Sequence, residues 1–137
     1  MKRIFAALLF LGLAACGDKG GGGQAQPGED PRYAGLEHEI RLWREEITKT
    51  DETCLSTIKD EHCVAFEVTC KVEAPVTDSE KTAGTAGKVI VALRWQGWNA
   101  EKGEHRSVLK AAEFSKTGAG WTRKDAGGVN PNTCAGY

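Results

Sequence analysis

Apolar positions change their spacing several times along this chain. From Ile4 to Ala15 they run together, broken only by Gly12, after the basic start Met1-Lys2-Arg3. A run of that length makes roughly 18 Å of helix, well short of the ~30 Å bilayer core, so it reads as a signal-peptide core and not as a span. Residues 17–28 then carry no large apolar side chain and are dominated by glycine, the composition of a flexible tether. Leu36, Ile40, Trp43 and Ile47 recur at helical spacing and predict one apolar stripe, with Glu37, Arg41, Glu45 and Lys49 spaced four apart on the outer face. Cys54 and Ile58 continue the stripe, so the helix extends to about Lys59, unless Thr50-Asp51-Glu52-Thr53 breaks it and caps a new turn.

After His62 the period becomes two. Val64, Phe66, Val68, Cys70 and Val72 are expected on one face of a first strand, and Val89, Val91, Leu93 and Trp95 on the core face of a second. Between them Ala74–Gly87 reads as a floppy connection. Asn99–Gly103 turns into a third strand from about His105 to Ser115, and the Gly118-Ala119-Gly120 turn leads to a short fourth around Trp121. The tail to Tyr137 is loop-like. The predicted class is α+β: one N-terminal amphipathic helix packed on an antiparallel meander of three to four strands, stapled by two disulfides. That order resembles the cystatin-like sandwich in topology. The Gln-x-Val-x-Gly motif of cystatins is missing, since Gln96-Gly97-Trp98-Asn99-Ala100 departs at its third and fifth positions, so the resemblance implies no protease-binding residues.

The composition is 40% hydrophobic and 27% charged with a formal net charge of -1, which suits one small domain with attachments and argues against nucleic acid as a partner. Charge is uneven, however. Residues 28–80 hold 14 acidic and 6 basic groups, whereas residues 88–124 hold 8 basic and 3 acidic. Helix and sheet attracting each other accounts for this; a basic sheet face meeting an anionic envelope partner is the sharper reading.

Five cysteines in so short a chain point to an oxidising compartment. The first ends the segment Leu13-Ala14-Ala15-Cys16, which resembles the lipobox of bacterial lipoproteins at all four positions. The resemblance implies cleavage after Ala15, a diacylglycerol thioether on Cys16 and further acylation of the new amine. The implied layout is a signal peptide over 1–15, a lipidated tether over 16–32 and a single domain over 33–137. Two acyl signals are what stable anchoring requires. In enterobacterial lipoproteins Asp directly after the lipidated Cys favours the inner membrane. Gly17 stands there instead, so the outer membrane, facing the periplasm, is expected if the chain is Gram-negative.

Cys54, Cys63, Cys70 and Cys134 remain and are expected to form two disulfides. Cys63 and Cys70 stand about 23 Å apart along a strand, whereas a bridge needs Cα atoms within about 7 Å. That leaves Cys54–Cys63 with Cys70–Cys134, which we favour, or Cys54–Cys70 with Cys63–Cys134. No C-x-x-C pair suggests zinc or thioredoxin-like chemistry.

Catalytic patterns are missing too. His38, His62 and His105 lack metal-ligand spacing, and Gly84-Thr85-Ala86-Gly87-Lys88 lacks the spacer of a phosphate loop. No catalytic residue, metal or cofactor beyond the lipid on Cys16 is expected. The candidate binding surface is Lys88, Arg94, Gln96, Trp98, Arg106 and Lys110. Trp98 alternates away from Trp95, but a bulge at Gly97 turning it back into the core is favoured over an exposed Trp98. The reading is a monomeric, membrane-anchored accessory or binding protein of the cell envelope. An inhibitor of an exported hydrolase is the alternative, with Ala74–Gly87 as its only long loop, and a small envelope enzyme comes third.

Overall fold

The computed structural model describes residues 30–136 apart from 57 and 59. The expected signal peptide, Cys16 and nearly all of the tether lie outside these residues. The chain runs through a 3-10 turn at Pro31–Tyr33, helix α1 at Leu36–Thr50, a second 3-10 turn at Glu52–Cys54 and strand β1 at Val64–Ala74. It continues through the short helix α2 at Asp78–Thr82, then β2 at Gly87–Asn99, β3 at Glu104–Thr117 and β4 at Gly120–Asp125. The strands form one antiparallel sheet in the order β1-β2-β3-β4, giving a mixed α+β architecture.

α1 buries the stripe Leu36, Ile40, Trp43 and Ile47. It does not reach Lys59. Asp51 leaves the helix in an extended conformation and its carboxylate accepts from the Thr53 backbone N–H, capping the second 3-10 turn. An Asp satisfies free N–H groups at a helix start better than it sustains a helix interior, which is why the break wins. Leu55 and Ile58 beyond the break are 54% and 60% exposed. Residues just before Tyr33 also pack against the sheet. The Asp30 carboxylate caps the first 3-10 turn through the Arg32 N–H, and Lys116 donates to the carbonyls of Pro31 and Arg32.

β2 behaves as its alternation predicts. Val89, Val91, Leu93 and Trp95 join Ala112 and Phe114 of β3 and the α1 stripe in one buried cluster. Trp43 meets Phe114 edge-on at 5.9 Å, and Phe66 stacks on Trp95 at 5.5 Å. Fully burying each large apolar side chain contributes about 1.5–3 kcal/mol, so this layer dominates the stability.

β1 departs from the predicted single face. Its register against β2 slips between Val64 and Glu67 and again between Val68 and Cys70. Each slip inserts one residue and inverts the alternation after it. Phe66 therefore reaches the α1 side, whereas Cys70 packs in a second buried cluster on the opposite face. Val64, Val68 and Val72 are left substantially exposed. Ala65 occupies the first bulge at φ 55°.

That second cluster is Ala92, Ala111, Val129 and Cys134. The C-terminal segment is thus not a free loop. It crosses the back of the sheet, where two alanines leave room for it, and closes with a bridge between Val129 and Gly136. The cysteines stand in two pairs at disulfide distance, Cys54 with Cys63 (Cα–Cα 4.5 Å) and Cys70 with Cys134 (5.7 Å). Ala74–Gly87 is also more ordered than expected, because Thr77 and Glu80 form a reciprocal capping box at the start of α2.

Candidate functional site

The unbroken register of β2 against β3 decides where the six surface candidates point. Lys88, Arg94, Gln96 and Trp98 lie on the face away from α1. Lys110 is opposite Leu93 and Arg106 is opposite Gly97, so those two lie on the α1 face. The six therefore do not make one basic face. Register is the reason: it sets even-numbered positions of β2 opposite odd-numbered positions of β3, so even-numbered cations on the two strands fall on opposite faces.

Most of these cations are also committed. Lys88 is largely covered and reaches Glu80 at 2.8 Å and Glu113 at 3.7 Å. Arg94 pairs with Glu67 across β1. Lys110 holds Asp51 at 2.7 Å and stands over the Trp95 ring. Further pairs, Glu37 with Lys71 and Glu46 with Arg123, tie α1 to the sheet, so part of the charge asymmetry is spent in holding the layers together. Burial by itself would raise the Asp51 carboxyl, but hydrogen bonds from Lys110 and Thr53 and the Lys110 charge hold it below the usual range.

Trp98 keeps its alternation. Gly97 is not a bulge; it is paired with Arg106 and its bareness serves packing, since a Cβ there would overlap the buried Thr53 side chain. The Trp98 ring is half-buried, edge-on to His105 at 5.1 Å. A hollow of about 320 Å³ lies beside it, lined by Thr53, Asn99, Glu101 and Arg106 among others.

Another concavity lies at the opposite end of the sheet. A cleft of about 330 Å³ is lined by Arg32, Tyr33, Glu73, Ala74, Val76, Lys88, Val89, Lys116 and Trp121 among others. A second hollow of about 240 Å³ shares Tyr33, Glu73 and Val89 and extends it towards Leu36 and Lys71. Each aromatic ring carries a cation, Arg32 at 5.2 Å from the Tyr33 centroid and Lys116 at 5.5 Å from that of Trp121. The Trp121 indole N–H donates to the Ala34 carbonyl at 2.9 Å, fixing the ring against the entering chain. Arg32 also pairs with Asp30 and Glu73, and its hydrogen bonds hold the Asp30 carboxyl below the usual range.

No known family model, curated protein or solved structure matches this chain. Among the described residues no group of three or more His, Cys, Asp or Glu side chains is placed to hold a metal ion. What the cleft offers is two amphipathic rings, three cations (Arg32, Lys88 and Lys116) and one carboxylate beside apolar side chains, an arrangement that binds flat or anionic groups. Of the six sequence candidates only Lys88 lines it; the other members were missed because they come from the tether boundary, the ends of β1 and β2, and the strands flanking the β3–β4 turn. The available signal was Arg32-Tyr33 beside Pro31, and Lys116 with Trp121 flanking a glycine turn.

Proposed function

We propose that this chain is a lipid-anchored cell-envelope protein whose folded domain is a non-catalytic binding module. The lipobox residues Leu13 to Cys16 support the anchor, with the outer membrane, facing the periplasm, as the favoured site. The cleft between Tyr33 and Trp121 carries the binding reading. Its two ring-stacked cations suit an anionic envelope protein or polymer. The order of helix then meander keeps the cystatin-like sandwich as our reading of the topology.

Two measurements test this. The mass of the Cys16 peptide from wild-type envelopes should show diacylglycerol and acyl groups; an unmodified Cys16 would refute the anchor. Full-length protein titrated with a soluble polyanion should change its tryptophan emission, and Lys116→Glu should abolish the change. An unaltered response in Lys116→Glu would remove the cleft from the argument.

Inhibition of an exported hydrolase stays as a second reading because of one observation. The Cys54–Cys63 bridge closes a short loop on which Leu55 and Ile58 are exposed. Ala74–Gly87, part of which is folded into α2, has no exposed large apolar side chain of this kind. On this reading Leu55→Asp should lose inhibition of an exported protease that the parent blocks.

A further inference from the structure

β3 is fourteen residues long and β4 only six. Their ladder covers Ala112–Thr117 alone. The Ala126 N–H then donates to the Ala111 carbonyl at 2.9 Å, and the chain turns away across the back of the sheet. From Glu104 to Lys110 the outer edge of β3 has no partner strand among the described residues.

The Ala111 bond sets the phase of that edge. In an antiparallel strand the N–H and C=O of one residue point to the same side and alternate with those of the next. Since the Ala111 carbonyl points outward, Leu109, Ser107 and His105 direct their N–H and C=O groups outward as well. The stretch is exposed except for half-buried Val108.

Natural sheets blunt such edges with bulges, prolines or short strands. The opposite edge obeys that rule, since β1 carries two bulges and a left-handed Ala65. β4 obeys it by being short. The free half of β3 has neither bulge nor proline and its register against β2 is continuous; its only guards are the charges of Glu104, Arg106 and Lys110, which are of both signs.

We propose that this edge pairs antiparallel with the same edge of a second copy of the chain. With Ser107 opposite the partner's Ser107, His105 faces the partner's Leu109 and the reverse, so every outward backbone group is satisfied. The intervening residues then bring Glu104 opposite the partner's Lys110 at both ends, and Arg106 opposite the partner's Val108. Among directly opposite pairs, unlike charges meet and no like charges do. Centring the pairing on Leu109 would run into Ala126, and centring it on His105 would leave one end unpaired. The sequence suggested a monomer; the open edge and its self-complementary charges argue for a symmetric pair.

The test uses the full-length chain in its native envelope. Ser107→Cys treated with a short bismaleimide should give a covalent dimer, while Thr122→Cys on β4 should not. Ser107→Pro removes an outward N–H without touching the ladder to β2, and should abolish a dimer detected by amine crosslinking. Glu104→Arg, which sets arginine against the partner's Lys110 without adding a crosslinkable amine, should lower that dimer several-fold and serves if Ser107→Pro fails to fold. Equal crosslinking at positions 107 and 122, absence of a dimer, or capture of a different protein through Ser107→Cys would each overturn the proposal.

Discussion

Thr53 joins the second 3-10 turn to the centre of the sheet, and Thr53→Val should show how much that joint contributes. Its side chain is 5% exposed. Its hydroxyl accepts from the Trp95 indole N–H at 3.1 Å and donates to the Asp51 carboxylate at 2.7 Å, which Lys110 binds on its other oxygen. Valine keeps the shape and loses the hydroxyl. The Trp95 N–H, on a fully buried ring, would then have no acceptor, at a cost of about 1–3 kcal/mol. Asp51 would keep Lys110 and the Thr53 backbone N–H, so little is added there. We expect about 2 kcal/mol of destabilisation and a fall in Tm of about 8–16 °C for a domain of this size. Urea unfolding followed by far-ultraviolet circular dichroism measures it without relying on Trp95 emission. The double variant with Trp95→Phe separates hydrogen bond from packing, because Thr53→Val should cost about 1 kcal/mol less once the indole N–H is gone. A loss under about 0.5 kcal/mol in the parent background, or no coupling in the cycle, would mean the hydroxyl is not the link we describe.

Three further outcomes follow from other parts of the molecule. Ala65→Gly should stabilise by up to about 1 kcal/mol, because alanine at φ 55° is strained and this residue is exposed; destabilisation in the same urea assay would contradict that. Replacing both Cys70 and Cys134 by serine should cost about 4 kcal/mol in the chain-entropy model for a separation of 64 residues, with faster hydrogen exchange over 126–136; unchanged exchange there would refute the tail's dependence on the bridge. Hydrogen bonds from Lys88 and from Thr77 lower the Glu80 carboxyl to about 2. Its contribution is therefore complete above the ordinary carboxylate range and is lost as pH falls from about 4.5 towards 2. Glu80→Gln should flatten the acid limb of the melting profile, and an identical limb would remove Glu80 as a source of it.

Local patterns determined what depends on neighbours in the chain. The α1 stripe and the core face of β2 follow from periods of 3.6 and 2, because each element buries one side whatever it packs against. The placing of the turns at Asn99–Gly103 and around Gly118-Ala119-Gly120 follows from glycine and small polar residues. Cysteine spacing narrowed the pairing by elimination, since distance along a strand is a local quantity. Tertiary structure decided the rest. Two bulges in β1 divided its apolar residues between the sheet faces, because register answers to the partner strand and not to alternation alone. The tail became a second covering layer because Ala92 and Ala111, from different strands, are both small at one place. The six candidate surface residues separated because parity on β2 and β3 is linked only through their register. The Tyr33–Trp121 cleft and the open edge of β3 arise from where elements end relative to one another, which no stretch of sequence encodes by itself.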